Sequence, residues 1–467
     1  MSAHGACDHG GMTAFSDLKL SEPLLRALEA IGHVQMTPVQ AHGLPPILEG
    51  LDVVAQARTG SGKTVAFGLG LLSRIDAGTT AVQALVLCPT RELADQVSRE
   101  IRRLARFVPN LKLLTLCGGI PLRPQVASLT HAPHVVVGTP GRIQELVDEG
   151  ALVLDGVRVL VLDEADRMLD MGFHDPIMGL VTMLPGERQV LLFSATLPKA
   201  VRAISRGLQR EAVDITIADA ADEPVIEQQF FEVEASRRYD ALERLLLQHQ
   251  SASTLVFCNT RRDTTDLAEG LQRRGFAALA LHGDLDQRER DETLVRFANR
   301  SCAVLVATDV AARGLDIEDL PVVVNLELST DPDVHLHRIG RTGRAGRAGL
   351  ALSLVAPAET TRAHALEARG DTSLRWSPLP RVDASARPTG ASMTTLRIDA
   401  GRQDKLRPGD VLGALTGAAG LAGDAVGRIS VFPTRTYVAV RREVSAKALE
   451  RLRSAGVKGR KFRVQAI

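Results

Sequence analysis

The stretch LDVVAQARTGSGKTVAFGLGLL, residues 51–72, joins a short apolar run to a Gly-rich loop and then to an apolar run with the length of a helix. A strand that ends in such a loop, just before a helix, presents backbone N–H groups and the positive helix end to phosphate. In this loop Gly60 and Gly62 let the backbone approach a ligand, Lys63 supplies positive charge, and Thr64 offers a hydroxyl to Mg²⁺. The stretch therefore predicts a nucleotide-binding site. The alternative is a Gly-rich turn that only precedes a helix.

Lysine is rare in this chain, which makes its presence in the loop informative. The sequence has 56 basic residues, of which eight are Lys and 48 are Arg. A compact ammonium on a flexible stem fits inside a closed phosphate loop, whereas a planar guanidinium is bulkier and fork-shaped. The lysine thus favours phosphate binding over a plain turn, while Ala57 stands where the strict pattern has Gly.

Short apolar runs alternate with amphipathic helical patterns along most of the chain. Runs that are apolar on both faces are typical of buried parallel strands, and their alternation with helices predicts a doubly wound α/β fold. The first array holds DVVAQ, ALVLCPT, LKLLTL, HVVVGT, VRVLVLDEA and QVLLFSAT, and the second, after Pro224, holds IEQQFFEVE, STLVFCNT, FAALALHG, AVLVATD, VVVNLEL and LALSLVA. The sequence thus predicts two tandem parallel-sheet domains.

The alternation weakens after residue 370, where a segment rich in Pro, Ser and Arg predicts a linker. Beyond it, TTLRID, PGDVLGALTG, RISVFP, TYVAVRR, SAKALERLRSAG and KFRVQAI have the order βαββαβ, which is also the order in RNA-recognition domains. We therefore expect a flexible leader (1–12), an N-terminal ATP-binding domain (13–218), a second α/β domain (219–370), a linker (371–393) and a C-terminal RNA-recognition-like domain (394–467).

Charge is distributed unevenly along the 467 residues. Residues 388–467 carry 15 basic and six acidic residues, a net +9, whereas the rest of the chain carries 41 basic and 49 acidic residues, a net −8. The tail is therefore the electrostatic candidate for nucleic acid, and a basic protein-interaction domain is the alternative. No apolar run approaches the length of a membrane span, and the five Cys include no CxxC pair. We expect a soluble cytoplasmic protein with reduced thiols and no membrane partner.

Two adjacent carboxylates end the buried run of VRVLVLDEAD, residues 157–166. At the carboxyl end of a parallel strand they would face the edge of the sheet where α/β ligands bind. Asp163 suits a Mg²⁺ ion held through water, and Glu164 suits the orientation or deprotonation of an attacking water. The alternative is a solvated acidic turn.

The second array contributes a cluster of arginines in HRIGRTGRAG, residues 337–346, with Arg347 just beyond it. Such clusters usually form a solvated basic face. The Gly-interrupted spacing of Arg338, Arg341 and Arg344 instead suits arginine fingers that reach a γ-phosphate when two domains close. This pattern predicts that ATP hydrolysis requires domain closure.

Seven short segments occur in a fixed order across the two arrays: ARTGSGKT (57–64), PTRELA (89–94), TPGR (139–142), DEAD (163–166), SAT (194–196), ARGLD (312–316) and HRIGRTGR (337–344). With them, residues 12–370 resemble the DEAD-box RNA helicases. The resemblance implies two RecA-like domains, ATP and Mg²⁺ as cofactors, and RNA as partner. One departure is His33, which stands where the family usually has an aromatic that stacks on adenine.

The resemblance also implies roles for individual residues. The catalytic groups would be Glu164, Asp163, Lys63, Arg341 and Arg344. ATP would be bound by Phe15, Gln40 of the TPVQ segment, Thr59, Gly60, Ser61, Gly62, Lys63, Thr64 and Asp316, with Mg²⁺ on Thr64 and, through water, on Asp163. Ser194 and Thr196 would couple the ATP site to RNA. The RNA strand would lie along Pro89, Thr90, Arg91, Gly118, Gly119, Thr139, Gly141, Arg142, Gln287, Arg290, Thr308 and Asp309, several of which suit sugar and phosphate contacts.

The tail resembles the RNA-binding domain of the DbpA subfamily, most clearly in RPGDVLGALTG (407–417) and TYVAVRR (436–442). The resemblance implies action on 23S ribosomal RNA during assembly of the large (50S) ribosomal subunit, with a 23S rRNA hairpin and pre-50S particles as partners. Tyr437 is the only strand-centre aromatic candidate for base stacking, so recognition is expected to rely on basic and backbone contacts. The basic candidates are Arg435, Arg441, Lys458, Arg460 and Lys461.

The sequence thus predicts a monomeric ATP-dependent RNA helicase that opens short duplexes by local strand separation. The nearest enzyme alternative is a double-stranded DNA translocase built on the same tandem core. A catalytically weak RNA-binding scaffold or RNA chaperone is the other alternative, and the presence of Lys63, Glu164 and Arg341 disfavours it.

Overall fold

A computed structural model describes residues 14–57, 60–216, 226–312, 320–343, 348–368, 374–383, 385–417 and 420–467. The expectations for the leader, for Thr59, Asp316 and Arg344, and for the junction near residue 218 lie outside these residues. The described residues form two compact units, unit 1 before residue 217 and unit 2 after residue 225. Within the described part of the chain, no helix combines the length and apolarity needed to cross a membrane.

Unit 1 is built on a seven-stranded sheet with the strand order β3-β4-β2-β5-β6-β1-β7, and every neighbouring pair is parallel. The strands are β1 (Val53–Gln56), β2 (Ala84–Leu87), β3 (Leu113–Leu116), β4 (Val135–Gly138), β5 (Val159–Asp163), β6 (Gln189–Ser194) and β7 (Val213–Thr216). The first six confirm the predicted runs. Sequence reasoning missed β7 because this edge strand buries only Ile215 and so has no apolar run.

The helices of unit 1 are α1 (Glu22–Ala30), α2 (Pro38–Glu49), α3 (Lys63–Ser73), α4 (Arg91–Leu104), α5 (Leu122–Ser128), α6 (Pro140–Asp148), α7 (Ala165–Asp170), α8 (His174–Thr182) and α9 (Lys199–Leu208). Alternate strand residues pack on opposite faces of the sheet, with Val159 and Val161 in one hydrophobic cluster and Leu160 and Leu162 in the other. Helices therefore cover both faces, and the doubly wound prediction is confirmed.

Unit 2 begins with a second sheet of six parallel strands in the order β10-β11-β9-β12-β13-β8. These are β8 (Ile226–Glu232), β9 (Thr254–Cys258), β10 (Ala278–Leu281), β11 (Val304–Thr308), β12 (Val322–Asn325) and β13 (Gly349–Val355). The helices are α10 (Arg238–His249), α11 (Arg261–Arg273), α12 (Gln287–Ala298), α13 (Asp309–Ala312), α14 (Pro332–Ile339) and α15 (Thr360–Ala368). All six predicted runs form strands, which confirms the second parallel-sheet domain.

The C-terminal module has the predicted order βαββαβ. It consists of β14 (Met393–Ile398), α16 (Pro408–Thr416), β15 (Val426–Val431), β16 (Thr436–Arg441), α17 (Ser445–Ser454) and β17 (Val464–Ala466). The four strands form an antiparallel sheet in the order β15-β16-β14-β17. Its own core includes Leu396, Val411, Val438 and Leu452, each fully buried.

The sheet of the module contacts α12 and the turn after it, within unit 2. Glu292 Oε2 accepts hydrogen bonds from Arg397 Nη1 at 3.0 Å and from the Tyr437 hydroxyl at 3.3 Å. Thr395 Oγ1 accepts a hydrogen bond from Asn299 Nδ2 at 3.1 Å and lies 2.6 Å from the Ser301 hydroxyl. Because Tyr437 is only 2% exposed, its ring is not open for base stacking, which corrects the expectation that it was the strand-centre candidate.

The segment 374–383 lies against the second sheet, along its edge strand β8. Phe230 donates its N–H to the Arg375 carbonyl at 2.9 Å and accepts the Ser377 N–H at 2.9 Å. Leu379 packs on the hydrophobic cluster of the second sheet. Part of the predicted linker therefore extends the second sheet by one bridge, between Phe230 and Trp376.

Candidate functional site

The predicted site residues of unit 1 follow strands that are neighbours in the sheet. Asp163 ends β5, Ser194 ends β6, and the Gly-rich loop follows β1, the next strand in the order. On the other half of the sheet, Thr90, Gly118 and Thr139 follow β2, β3 and β4. Because all these strands are parallel, both groups lie along one sheet edge. Lys63, Asp163 and Glu164 of the predicted ATP site thus lie on the β5-β6-β1 half, and the RNA residues predicted in unit 1 lie on the β3-β4-β2 half.

The Gly-rich loop leads directly into α3, which begins at Lys63. Gly60 and Gly62 have φ angles of 85° and 89°, a left-handed conformation that glycine adopts without strain. A Cβ atom at Gly62 would lie only 2.3 Å from Gln40 Nε2, so a larger residue would also push the Gln40 side chain away. The loop therefore requires glycine at position 62 for two separate reasons.

Gln40 and Thr37 hold this loop from helix α2. Gln40 Nε2 donates to the Gly62 carbonyl at 3.0 Å, while its Oε1 accepts the Thr37 N–H at 2.9 Å. The Thr37 hydroxyl donates to the Ser61 carbonyl at 2.8 Å. The sequence suggested Gln40 only as an adenine contact. Its bond to the loop was missed because it depends on a partner 22 residues away.

Lys63 forms the centre of a buried charge cluster. Its Nζ lies 2.7 Å from Asp163 Oδ1 and 3.9 Å from Glu164 Oε1, and all three side chains are less than 5% exposed. Burial alone would lower the pKa of Lys63, but the charges of Asp163 and Glu164 outweigh it and raise that pKa. Burial also raises the pKa of Asp163, against the opposing charge of Lys63. The strand end thus brings together the lysine and the two carboxylates that the sequence predicted.

Glu164 occupies a left-handed backbone position, with φ 56°, at the start of α7. Non-glycine residues pay for this conformation in free energy, and such positions cluster at functional sites. Arg167 also holds the Glu164 carboxylate in place, because Arg167 Nη1 donates to Glu164 Oε2 at 2.5 Å. Sequence reasoning did not identify Arg167. Its position three residues after Glu164 does not by itself show that the two side chains meet.

Asp166 connects the DEAD segment to the SAT segment. Its N–H donates to Ser194 Oγ at 3.1 Å, and its Oδ2 accepts both the N–H and the hydroxyl of Thr196 at 2.9 Å. Its Oδ1 accepts the Arg167 N–H at 3.0 Å. The structure therefore brings the predicted coupling residues Ser194 and Thr196 onto Asp166. The sequence contained this residue as the last letter of DEAD but gave it no role.

The donor set at this edge fits a hard divalent cation. Mg²⁺ prefers oxygen ligands, keeps several waters and takes one or two carboxylates from a protein. Asp163, Glu164 and the Thr64 hydroxyl in the first turn of α3 are oxygen donors of that kind. Among the described residues no group of three or more His, Cys, Asp and Glu side chains could enclose a metal alone. The chemistry therefore suits an ion held jointly with phosphate and water.

The predicted RNA residues of unit 1 support one another through backbone and hydroxyl contacts. Thr139 Oγ1 accepts the Gly118 N–H at 3.1 Å, and Arg142 Nη2 donates to the Ile120 carbonyl at 3.0 Å. Thr90 caps α4, its Oγ1 accepting the Leu93 N–H at 3.3 Å. Of the remaining members, Pro89 and Gly119 lie in the strand-to-helix connections, and Arg91 and Gly141 lie in the first turns of α4 and α6.

Phe15, predicted to bind ATP, lies in the hydrophobic core of unit 1. Its ring is 3% exposed and belongs to a hydrophobic cluster of unit 1. Its packing alone explains an aromatic at this position. Its contact with a nucleotide remains a prediction.

In unit 2, Arg338 organises the residues that follow β11 and β12. Arg338 is 1% exposed, and it donates to both carboxylate oxygens of Asp309, at 2.6 and 2.7 Å. It also donates to the Glu327 carbonyl at 2.7 Å and to Asn259 Oδ1 at 2.9 Å. Asp309, predicted as an RNA contact, thus has its carboxylate engaged by a buried arginine. The sequence grouped Arg338 with the candidate arginine fingers, and the structure corrects this because its buried guanidinium is engaged by Asp309, Glu327 and Asn259.

The other predicted residues of unit 2 lie near α12 and α13. Arg290 Nη2 donates to the Ala311 carbonyl at 2.8 Å, and Thr308 Oγ1 accepts the Ala311 N–H at 3.4 Å. Gln287, the first residue of α12, donates to Asp291 at 2.8 Å. Arg341 follows α14 and is 4% exposed.

Most of the predicted RNA-binding cations of the module have carboxylate neighbours. Arg441 lies 2.8 Å from Asp424, Lys458 lies 2.9 Å from Asp410, and Arg460 lies 3.7 Å from Asp404. All three cations are exposed, as is Lys461. Arg435 differs, because it faces Glu292 of α12 at 3.9 Å. The exposed four remain available for phosphate, whereas Arg435 belongs to the contact between module and second sheet domain.

Comparison with known proteins agrees with this geometry. Residues 37–204 match the DEAD/DEAH box helicase family, residues 237–346 match the helicase conserved C-terminal domain, and residues 395–466 match the DbpA RNA binding domain. The chain is 54% identical to the ATP-dependent RNA helicase DbpA of Escherichia coli K12, over 98% of this chain and 100% of that protein. It is 42% identical to the DEAD-box ATP-dependent RNA helicase CshA of Geobacillus kaustophilus, over 80% of each chain.

Solved structures show the same relationship. Saccharomyces cerevisiae Dbp5 bound to RNA and ADP BeF3 superposes with a TM-score of 0.70 at 30% identity, over 79% of this chain and 96% of that one. The chain therefore belongs to the DEAD-box ATP-dependent RNA helicases. Within them, its C-terminal module and its similarity over nearly the full length assign it to the DbpA subfamily.

Proposed function

We propose that this helicase opens short duplexes of 23S ribosomal RNA during assembly of the large ribosomal subunit, in the cytoplasm and with ATP and Mg²⁺. The observation that carries the proposal is the C-terminal module, which matches the DbpA RNA binding domain and is held on the second sheet domain by Glu292. A module fixed in this way would present a bound hairpin in a defined position. The helicase domains would then act on neighbouring RNA without reading its sequence themselves.

The ATP step is proposed to use the buried cluster at the β5-β6-β1 edge. Lys63 would leave Asp163 and bind the phosphates, since a single ammonium cannot serve both partners fully. Asp163 would then hold Mg²⁺ through water, and the ion would neutralise charge that develops on the phosphates. Glu164, held by Arg167, would orient the attacking water and accept its proton.

The RNA step is proposed to run through Asp166. Its carboxylate bonds Thr196, while its backbone N–H bonds Ser194, so a shift of the DEAD segment on ATP binding would move the SAT segment. The segments after β2, β3 and β4 supply hydroxyl groups, backbone N–H groups and the arginines Arg91 and Arg142, which suit sugar and phosphate. This arrangement predicts affinity for RNA strands of any sequence at this edge.

Crosslinking the protein to cellular RNA and mapping the sites tests the proposed substrate. We expect crosslinks to concentrate in one region of 23S rRNA, with module crosslinks on a hairpin and helicase-domain crosslinks on adjacent RNA. A variant that lacks residues 394–467 is the matched control and should lose that concentration. Crosslinks spread evenly over messenger and ribosomal RNA in the full-length protein would contradict the ribosomal assignment and favour a general RNA chaperone.

A further inference from the structure

Residues 374–383 of the predicted linker touch the most buried aromatic of the second sheet, Phe230. We call this segment the strap. Its contact strand β8 is the last strand of the sheet, and an edge strand presents backbone N–H and C=O groups with which another segment can pair. The two hydrogen bonds between Phe230 and the strap satisfy one such pair. The strap also carries Trp376, the only tryptophan of the chain.

Three aromatic side chains form a continuous row of ring contacts from the strap inward, in which the Trp376 and Phe230 rings are tilted by 51° and the Phe230 and His335 rings are stacked at 25°. The Trp376 ring centroid lies 5.9 Å from that of Phe230, and the Phe230 centroid lies 6.3 Å from that of His335. Phe230 is fully buried and His335 is 1% exposed, whereas Trp376 is 41% exposed. Burial and Arg338 lower the pKa of His335 to about 4, so its ring is neutral at neutral pH. Stacking of neutral rings at such distances is stabilising.

The innermost ring, that of His335, lies on helix α14, next to residues predicted to be functional. His335 lies on α14, one turn before Arg338, and Arg341 follows the end of that helix. His335 Nε2 also lies 3.2 Å from Gln228 Oε1 on β8. The strand that binds the strap and the helix that carries the HRIGR residues are therefore linked by an aromatic contact and a polar contact.

We infer that Trp376 is a positioning residue for ATP turnover, because it fixes Phe230 and His335 and thereby the placement of α14. The inference rests on the proposed role of Arg341, which the resemblance implies. It assigns a function in turnover to a segment that its composition marks only as a linker. Packed contacts of this kind change coupling by about 0.5–2 kcal/mol, which corresponds to a factor of about 2 to 30.

The test compares RNA-stimulated ATP turnover of full-length variants. Trp376→Ala should lower kcat about two- to thirtyfold, with KM for ATP and affinity for RNA changed less than kcat. Trp376→Phe keeps an aromatic ring against Phe230 and should restore most of the rate. Arg375→Ala is the matched control, because it removes an exposed side chain of the same strap that forms an ion pair with exposed Glu227.

A second variant keeps Trp376, whose fluorescence reports on its exposure, and weakens the attachment of the strap to β8. Ser377→Pro deletes the N–H that donates to the Phe230 carbonyl and leaves Trp376 in place. We expect stronger quenching of the single tryptophan by acrylamide, together with a lower kcat. This variant and Trp376→Phe decide the question if Trp376→Ala does not fold.

Arg341→Ala separates the inference from the proposal beneath it. If Arg341→Ala loses turnover while folded Trp376→Ala keeps the wild-type kcat, the positioning role is overturned and the role of Arg341 stands. Stronger quenching in Ser377→Pro with an unchanged kcat overturns the positioning role in the same way. If Arg341→Ala itself turns over ATP normally, the proposed role of Arg341 fails and the inference fails with it.

Discussion

Asp166→Asn tests whether the DEAD and SAT segments are joined through one carboxylate. Asp166 is buried, and its two oxygens face different donors. One accepts Arg167 N–H, and the other accepts two hydrogen bonds from Thr196. Asparagine offers a single acceptor oxygen, so one of these two groups must lose its partner in either amide orientation.

The size of the effect follows from the bonds lost. A hydrogen bond to a charged group contributes about 1.5–3 kcal/mol, and an unsatisfied buried donor adds to the cost. If the new amide oxygen faces Thr196, the Arg167 N–H loses its acceptor. If the amide oxygen instead faces the Arg167 N–H, both the N–H and the hydroxyl of Thr196 lose their acceptor. We therefore expect unit 1 to lose about 2–4 kcal/mol of unfolding free energy. Thr196→Ala keeps the Thr196 N–H bond and should cost only about 1 kcal/mol.

Thermal unfolding followed by circular dichroism measures this loss, and hydrogen exchange of the 194–196 region localises it. The same variant should unwind RNA less well per ATP hydrolysed, because the link between the two segments is weakened. Asp166→Asn with wild-type stability and unchanged exchange of the Thr196 amide would refute the reasoning. That result would show that the hydrogen bonds of the Asp166 carboxylate do not stabilise the contact between the DEAD and SAT segments.

Four further predictions address the ATP site, the buried histidine and the module. Glu164→Gln should keep ATP affinity but lower turnover by a factor of about 10² to 10⁴ in a steady-state assay, because an amide cannot accept the proton of water; undiminished turnover would exclude Glu164 as the base. Lys63→Ala should weaken binding of a fluorescent nucleotide and also destabilise the free protein by about 3 kcal/mol, since it leaves buried Asp163 without its cation, whereas Glu164 keeps Arg167; unchanged nucleotide affinity would refute the loop assignment. The pKa of His335 is about 4 in the fold, against 6.5 in an unfolded chain. The unfolded chain therefore takes up a proton first, and unit 2 should lose up to about 3 kcal/mol of unfolding free energy as the pH falls from about 6.5 to about 4. Denaturation monitored by Trp376 should depend less on pH in His335→Phe, and an equal dependence would contradict the assignment. Removal of Lys461 or Arg460 should flatten the salt dependence of RNA binding by just under one unit of log–log slope for each phosphate contact, and an unchanged slope would exclude both residues.

The strands and the main ATP residues were predictable because their signals are local. Apolar runs flanked by helical patterns identified β1 to β6 and β8 to β13, and parallel strand ends placed Asp163 near Lys63. The resemblance then added the order of the motifs. Both lines of reasoning use residues that are close in sequence or that share one sheet edge.

The features that the sequence did not reveal depend on partners far apart in the chain. Gln40 reaches the Gly62 carbonyl, and Tyr437 is buried beside Glu292, 145 residues away. Trp376 pairs with an edge strand that begins 150 residues earlier, so its Pro-rich surroundings indicated only a linker. Composition describes what a segment contains but not the surface on which it lies.

The most direct measurement is the initial rate of ATP hydrolysis by the full-length protein with three nucleic acids at saturation. These are a 23S rRNA fragment with its hairpin, a scrambled RNA of equal length, and DNA of the same sequence as the fragment. The account predicts the highest rate with the rRNA fragment, a lower rate with scrambled RNA and little stimulation by DNA. Equal rates with all three nucleic acids would contradict it. Such rates would mean that the helicase domains do not select RNA over DNA and that the module does not direct them to the rRNA hairpin.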